Sequence, residues 1–176
     1  MYRKTTSQKI KTRARKSLNK NFEKTPKIYV VDTSLIINKF LGKLIKKGLK
    51  GKIIIPNAVM AELENQANRG YEEGFLGLEE VANLHKLKNN YKLQIFFEGL
   101  RPNEMQIKFA KSGEIDALIR EIALKNKAVL LTADLVQAKS AQAYGLEILY
   151  MKPYCKQEKK RFFSFLKKFS KLRKKT

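Results

Sequence analysis

The feature that most constrains the fold is an alternation of short β-branched runs with longer helical patterns between Ile28 and Tyr150. This alternation is typical of βαβ units, which build a mostly parallel sheet covered by helices. The predicted strands are residues 28–31, 52–55, 93–97, 128–132 and 147–150. The predicted fold class is therefore α/β.

Capping residues predict where three of the intervening helices begin and end. Asn57 can cap one helix, which Gly70 ends. Ser112 can cap a second helix, and Asp134 opens a third that Gly145 closes. The predicted buried face of the second helix is Ile115, Leu118, Ile119 and Ile122.

Positive charge is concentrated at the two ends of the chain. Residues 1–27 hold 10 basic and 1 acidic side chains, residues 151–176 hold 11 and 1, and residues 28–150 hold 17 and 14. Cationic arms repel themselves unless a polyanion neutralises them, so nucleic acid is the expected partner. The predicted organisation is a basic N-terminal extension, an α/β domain over 28–150 and a basic C-terminal segment.

The C-terminal segment carries apolar residues at helical spacing, which predicts a cationic amphipathic helix. These residues are Phe162, Phe165, Leu166, Phe169 and Leu172. The basic side chains that we expect to bind nucleic acid are Arg13, Arg15, Lys16, Lys159, Lys160, Arg161, Lys167, Lys168 and Arg173.

The scarcity of cysteine and histidine excludes several kinds of site. A single cysteine, Cys155, excludes a disulfide framework and a zinc ribbon, and a single histidine, His85, excludes sites built on several histidines. No apolar run reaches the roughly 20 residues needed to span a bilayer. The basic N-terminus leads into no signal-type apolar stretch, so we expect a cytoplasmic protein.

Aspartate is rare in this chain and occupies special positions. Only Asp32, Asp116 and Asp134 occur among the 16 acidic residues. Asp32 closes the first predicted strand and Asp134 follows the fourth, so both point towards the cleft outside the carboxyl ends of the strands. As an alternative, Asp32 and Asp134 are helix N-caps, each contributing about 1 kcal/mol. That alternative does not account for Asp116, which lies inside the first turn of a helix.

Two glutamates lie close to these aspartates in the predicted fold. Glu62 follows the second strand through Pro56 and borders the buried face of its helix, so we expect it at the same edge. The Glu64 side chain points about 200° around the helix axis from that of Glu62 and is predicted to be solvated. Glu114 lies on a different face from Asp116, near the positive end of the helix dipole, and is predicted to have a supporting role.

Three or four carboxylates without histidine or cysteine form an oxygen-rich site suited to Mg2+ or Mn2+. A divalent ion would remove their mutual repulsion, lower the pKa of a bound water and neutralise charge growing on a phosphodiester. The sequence therefore predicts metal-dependent hydrolysis of a nucleic-acid backbone.

Four runs of the sequence resemble the PIN domain. They are IYVVDTSLII (28–37), IIIPNAVMAELENQANRG (53–70), KSGEIDALIREIA (111–123) and LLTADLVQAKSAQAYG (130–145). The resemblance implies a three-layer α/β/α sandwich, with a parallel sheet often ordered 3-2-1-4-5, and a metal-dependent ribonuclease. It places the acidic residues of the family on Asp32, Glu62, Asp116 and Asp134, with supporting hydroxyls on Thr33 or Ser34 and on Thr132.

The run from ELENQANRG to GFLGLEE is most similar to the PIN domain at the N-terminus of archaeal ATPases that also carry a KH domain. The sequence contains no GxxxxGK[ST] phosphate loop, and its GxxG at 74–77 lacks the basic residues of a KH loop. We therefore expect either a stand-alone PIN protein or a piece of a longer one.

Several functions remain open from the sequence. The favoured one is an Mg2+- or Mn2+-dependent endoribonuclease whose basic ends bind RNA. The alternative is a PIN-type RNA or ribonucleoprotein binding module with little turnover, while a toxin-type nuclease is disfavoured by the basic arms. In a weaker alternative the C-terminal helix docks on a membrane or a protein. The sequence is also compatible with a homodimer.

Other basic residues are less constrained. Arg120 lies four residues after Asp116, so an ion pair between them is favoured over a contact with phosphate. Arg69 and Arg101 are candidates to lie near the cleft, although the sequence pattern alone does not place them. His85 is predicted to lie on an amphipathic helix away from the substrate.

Overall fold

The computed structural model describes residues 27–110 and 113–153, in which five strands alternate with helices. The strands are β1 (Lys27–Val31), β2 (Gly51–Pro56), β3 (Gln94–Glu98), β4 (Val129–Thr132) and β5 (Ile148–Tyr150). The helices are α1 (Thr33–Ile37), α2 (Phe40–Lys46), α3 (Asn57–Asn68), α4 (Glu72–Tyr91), α5 (Glu104–Phe109), α6 (Glu114–Lys125) and α7 (Leu135–Ala143). All five predicted strands are confirmed, and their ends shift by one residue at most.

All pairings in the sheet are parallel, and the strand order is β3-β2-β1-β4-β5. Tyr29 of β1 lies opposite Ile53 on one side and Val129 on the other. From β1 the chain adds β2 and β3 on one side of the sheet and then β4 and β5 on the other side, so the strand order reverses between β1 and β4. In open α/β sheets the carboxyl ends of two such strands border a crevice that receives ligands.

Helices cover both faces of the sheet. Consecutive side chains are fully buried in the central strands: Val30 and Val31 in β1, and Leu130 and Leu131 in β4. Successive residues of a strand point to opposite faces, so burial of both neighbours requires a layer on each side. This confirms the predicted three-layer α/β/α class.

The predicted helix ends are partly confirmed. Asp134 caps α7 and Gly145, at a φ of 79°, follows the end of that helix, as expected. The Asn57 cap was wrong: Pro56 occupies the N-cap position, and the Asn57 side chain donates from Nδ2 to the carbonyl of Gly99 at 2.7 Å. Ser112 lies outside the described residues, and Gly113 directly precedes α6.

The buried face of α6 is shifted towards its C-terminus relative to the prediction. Ile119 and Ile122 are buried as expected, and Ala123 completes the face. Ile115 and Leu118 are only partly buried. The first turn of α6 therefore lies nearer to solvent, which leaves Asp116 accessible.

Two glycines of α4 form its contact with α3. A Cβ atom at Gly74 would lie 2.3 Å from the backbone nitrogen of Ala67, and one at Gly77 would lie 2.3 Å from Leu63 Cδ2. The GxxG run is therefore a seam where two helices pack closely.

The remaining predictions on the chain ends lie outside the described residues. They include the N-terminal extension, the C-terminal amphipathic helix and all nine basic residues expected to bind nucleic acid. Within residues 27–110 and 113–153, no helix has the length and apolar character needed to cross a membrane.

Candidate active site

Asp32 lies directly after β1, and its side chain is 3% exposed. Its Oδ2 atom accepts hydrogen bonds from Ser34 Oγ at 2.5 Å and from Thr132 Oγ1 at 2.6 Å. Thr132 reaches it because β4 is the neighbour of β1 in the sheet. Burial raises the pKa of the Asp32 carboxyl, the two hydroxyls oppose that rise, and the charge of Asp134 adds to it.

The two hydroxyls that hold Asp32 are themselves held by backbone groups. Ser34 Oγ accepts from the Ala133 nitrogen at 2.9 Å, and Thr132 Oγ1 accepts from the Asp134 nitrogen at 2.9 Å. Each hydroxyl thus accepts from an N–H group and donates its proton to Asp32. The carboxylate is therefore fixed from two elements, by Thr132 at the end of β4 and by Ser34 in α1.

Glu62 projects from α3 and is partly buried. Its Oε2 atom accepts from Thr33 Oγ1 at 2.6 Å. Burial raises the pKa of Glu62, the Thr33 hydroxyl opposes the rise, and the charges of Asp32 and Asp116 add to it. The sequence left Thr33 and Ser34 as alternative supporting groups, and the structure uses both, on different acids.

Asp116 lies in the first turn of α6 and is partly buried. Burial, followed by the charges of Asp32 and Asp134, raises the pKa of its carboxyl to about 6, although Arg120 lowers it. Arg120 does not form the favoured ion pair with Asp116. Its guanidinium instead donates to Gln137 Oε1 at 2.7 Å and lies over the ring of Tyr144.

Asp134 is exposed and acts as an N-cap. Its Oδ1 atom accepts from the nitrogens of Val136 at 2.6 Å and Gln137 at 3.2 Å. The capping alternative raised from the sequence therefore holds for Asp134. It does not hold for Asp32, which precedes α1 but makes no side-chain capping bond there.

The structure brings the four predicted acids into one electrostatic environment. The pKa of Asp32 is raised by Asp134, that of Glu62 by Asp32 and Asp116, and that of Asp116 by Asp32 and Asp134. Glu114, the predicted supporting residue, is exposed and makes no hydrogen bond to these acids. Hereafter "the four acids" denotes Asp32, Glu62, Asp116 and Asp134.

The donor chemistry at this edge fits Mg2+ or Mn2+ in kind, since the four acids and their hydroxyl partners offer only oxygen atoms. Among the described residues, however, no three acidic, histidine or cysteine side chains converge into a ready-made metal cage. The carboxylates of Asp32 and Glu62 are fixed by hydroxyl groups, whereas the Asp116 carboxylate accepts no hydrogen bond from the described residues.

Sequence analysis named Arg69 as a candidate near the cleft but missed the other side chains that border the four acids. Gln137 is fully buried and donates from Nε2 to the Asp116 carbonyl at 3.1 Å, which ties α7 to α6. A cleft beside Glu62 is lined by Gln66, Arg69 and Tyr71, among others. The spacing of Glu62, Gln66 and Arg69 along one helix face is the signal that could have found the cleft.

Comparison with known proteins agrees with this architecture. Residues 29–149 match the family model of the PIN domain. The chain belongs to the PIN domain family. Members of this family are commonly metal-dependent nucleases.

Two curated archaeal proteins are similar to this PIN domain. An uncharacterised KH and PIN-domain containing protein of Methanocaldococcus jannaschii is 42% identical over 123 residues, which cover 69% of this chain and 19% of that protein. The Holliday junction branch migration ATPase of Sulfolobus acidocaldarius is 21% identical over 122 residues, covering 69% of this chain and 22% of that protein. The chain thus spans about a fifth of the length of these relatives.

A solved structure shares the fold. It is a domain of a functionally unknown protein from Methanocaldococcus jannaschii, with a TM-score of 0.69 and 39% sequence identity. The match covers 73% of this chain and 93% of that domain. The resemblance seen in the sequence, to the PIN domain of archaeal proteins that also carry a KH domain, is confirmed.

Proposed function

We propose that this PIN domain is a divalent-metal-dependent endoribonuclease that hydrolyses RNA phosphodiester bonds at the four acids. The observation that carries the proposal is their electrostatic coupling: burial and neighbouring negative charge raise the pKa values of Asp32, Glu62 and Asp116 together. Such clustering is costly without a counter-charge and is typical of functional sites.

The four acids are the residues that would hold Mg2+ or Mn2+. When bound, such an ion supplies a more acidic water and neutralises charge that develops on the phosphodiester. The donor set supports this assignment because the four acids and the hydroxyls of Thr33, Ser34 and Thr132 that contact them offer oxygen atoms.

The side chains of the chain have distinct roles in this proposal. Asp32 and Glu62 present oxygen atoms in positions fixed by Ser34, Thr132 and Thr33. Asp116 has a pKa of about 6, so it carries a proton in part of the metal-free molecules near neutral pH. Since ligands of hard cations bind in the ionised form, Asp116 is the group that would release this proton when the site is loaded.

The proposed substrate follows from the charge of the chain and from its relatives. The basic ends match a polyanion, and the named KH and PIN-domain protein and the branch migration ATPase both indicate association with nucleic acid. RNA is the proposed substrate. Because the second relative is a Holliday junction ATPase, a DNA four-way junction is the alternative substrate to test beside RNA.

A second candidate function is a PIN-type RNA or ribonucleoprotein binding module with little turnover. The observation that favours it is that no three of the metal-binding side chain types converge within the described residues. The capping role of Asp134 also holds that carboxylate at the start of α7.

A metal titration separates the two candidates. Purified protein is incubated with single-stranded RNA, structured RNA and a DNA four-way junction, in EDTA and in increasing Mn2+ or Mg2+. The nuclease proposal expects RNA fragments that depend on metal and disappear in Asp116→Asn. Tight RNA binding with no cleavage at any metal concentration would favour the binding module.

A further inference from the structure

One face of α3 continues from the four acids into a cleft of about 400 Å3. Glu62, Asn65, Gln66 and Arg69 line it, at the i, i+3, i+4 and i+7 spacing that places side chains on one stripe of a helix. The stripe therefore runs from the carboxylate at one end, through two amides, to a guanidinium at the other.

The turn after α3 adds an aromatic ring to this stripe. The nitrogen of Tyr71 donates to the Gln66 carbonyl at 2.9 Å and that of Gly70 to the Ala67 carbonyl at 2.9 Å, which is the Schellman pattern of helix termination. Gly70 has a φ of 77°, where a side chain would be strained. The reversal places the Tyr71 ring 5.1 Å from the Arg69 guanidinium carbon.

The polar groups of the cleft are suited to the edge of a base. Gln66 Oε1 is buried and has no hydrogen-bond partner among the described residues, so it lacks a donor that a ligand could supply. The Glu73 carboxylate also lines the cleft and only accepts hydrogen bonds when ionised. Tyr71 is 47% exposed and offers a stacking surface.

We propose that this cleft binds a nucleobase of the RNA strand, one that flanks the scissile phosphate and carries an exocyclic amino group. The base stacks on the pair formed by the Tyr71 ring and the Arg69 guanidinium above it, and its amino group donates to Gln66 or Glu73. Single-stranded RNA is commonly read in this way, by stacking on aromatic or guanidinium planes and by hydrogen bonds to base edges. The inference rests on the proposed function because Glu62 connects the cleft to the four acids.

The charges of the cleft favour a base over a phosphate. Glu62 and Glu73 place two carboxylates in it against the single guanidinium of Arg69. A phosphate there would face net repulsion, whereas the amino group of adenine, guanine or cytosine finds acceptors. Uracil has no exocyclic amino group, so the cleft should discriminate against it.

The test measures binding without cleavage. Full-length protein carrying Asp32→Asn is titrated into labelled single-stranded RNA at high salt, where the contribution of the basic ends is weak. Adding Tyr71→Ala should lower the affinity about tenfold, as expected for the loss of one stacked base, and Tyr71→Phe should retain it. Tyr144→Ala is the matched control, because Tyr144 is another exposed tyrosine beneath an arginine, Arg120, and lies outside the cleft.

Base preference is tested by scanning single cytidine-to-uridine changes along the RNA. One position should show weaker binding of uridine in the wild-type cleft, and Gln66→Leu should reduce that difference. Equal affinity of Tyr71→Ala and its parent, an equal loss in Tyr144→Ala, or no position that distinguishes cytidine from uridine would overturn the inference. Melting curves check that each variant is folded, and the Gln66→Leu comparison at the cytidine-sensitive position decides the question if Tyr71→Ala does not fold.

The two proposals fail differently in these experiments. Metal-dependent RNA cleavage by wild type combined with unchanged binding by Tyr71→Ala would remove the base cleft and leave the nuclease. Loss of binding in Tyr71→Ala, with no RNA cleavage by wild type, would support the base cleft and contradict the nuclease proposal.

Discussion

At the scale of single residues, hydroxyl groups determine how the acids are held. Thr132 is fully buried, donates to Asp32 and accepts from the Asp134 nitrogen. Thr33 holds Glu62 in the same manner. The sequence could predict that acids meet at this edge, because strand ends fix the backbone positions of Asp32 and Asp134. It could not predict which hydroxyl serves which acid, since that depends on how α1 and α3 approach the sheet.

Thr132→Val should destabilise the protein because it removes one of the two hydroxyls that donate to Asp32 and leaves the Asp134 N–H without its acceptor. We expect a loss of roughly 2 kcal/mol or more in the free energy of unfolding, measured in urea. Thr132→Ser keeps the hydroxyl and loses only a methyl group, which contributes about 1 kcal/mol. A Val variant more stable than the Ser variant would contradict this role of the hydroxyl.

Asp116→Asn should raise metal-free stability at neutral pH. The pKa of Asp116 is raised to about 6 in the folded protein from 3.8, so the folded state binds more protons between these values and loses stability as pH rises through them. At pH 7 the variant should therefore gain about 1 kcal/mol, a value reduced by the partial exposure of the carboxylate, or about 3 °C in Tm. At pH 4 the gain should vanish.

Excess Mn2+ should reverse the order, because a ligand of the folded state stabilises it by RT ln(1 + [L]/Kd), and wild type, which keeps the Asp116 carboxylate, should have the lower Kd. Glu121→Gln, which changes an exposed glutamate of the same helix, is the control and should show neither effect. Wild-type melting curves that do not respond to Mn2+ would contradict a metal site at the four acids.

At the scale of secondary-structure elements, close helix contact sets the position of the cleft. Gly74 of α4 lies against the backbone of α3, which brings Tyr71 and Glu73 beside the stripe of Glu62 and Gln66. Strands and the α7 cap were predictable because their signals are local. The misassigned Asn57 cap and the GxxG seam were not, because they depend on contacts with Gly99 and with α3 that are distant in sequence.

Gly74→Ala should destabilise the protein although alanine favours helix. Its Cβ would lie 2.3 Å from the Ala67 nitrogen and 2.7 Å from the Leu63 carbonyl oxygen, so α3 and α4 must separate. We expect a net loss of about 1–3 kcal/mol in chemical denaturation. Ala82→Gly, at an exposed site of α4, measures the propensity effect alone, about 1 kcal/mol. A gain of stability in Gly74→Ala would show that the two helices are not in backbone contact.

At the scale of the whole molecule, we infer that the α/β domain carries the chemistry and that the ends of the chain bind RNA. Residues 28–150 hold 17 basic and 14 acidic side chains, whereas the flanking segments hold 21 basic and 2 acidic ones. Sequence alone predicts this division of charge. The division of function that we derive from it concerns residues outside those that the structure describes, so it stays a prediction.

RNA affinity should depend strongly on salt in the full chain. Each phosphate neutralised contributes about −0.7 to −0.9 to the slope of log K against log salt, so about six contacts give a slope of roughly −4 to −5. A chain of residues 28–150 should show a far shallower slope in the same titration. An unchanged slope would place the basic RNA-binding surface on the α/β domain itself.

The measurement that tests the central claim most directly compares RNA cleavage and RNA affinity in wild type and Asp32→Asn. Asp32 is the most buried of the four acids and is held by Ser34 of α1 and Thr132 of β4, so its loss should remove catalysis without altering the charged ends. The account predicts Mn2+-dependent cleavage by wild type, none by the variant, and affinities within a few-fold of each other. Cleavage that persists in EDTA, or in Asp32→Asn, would contradict it.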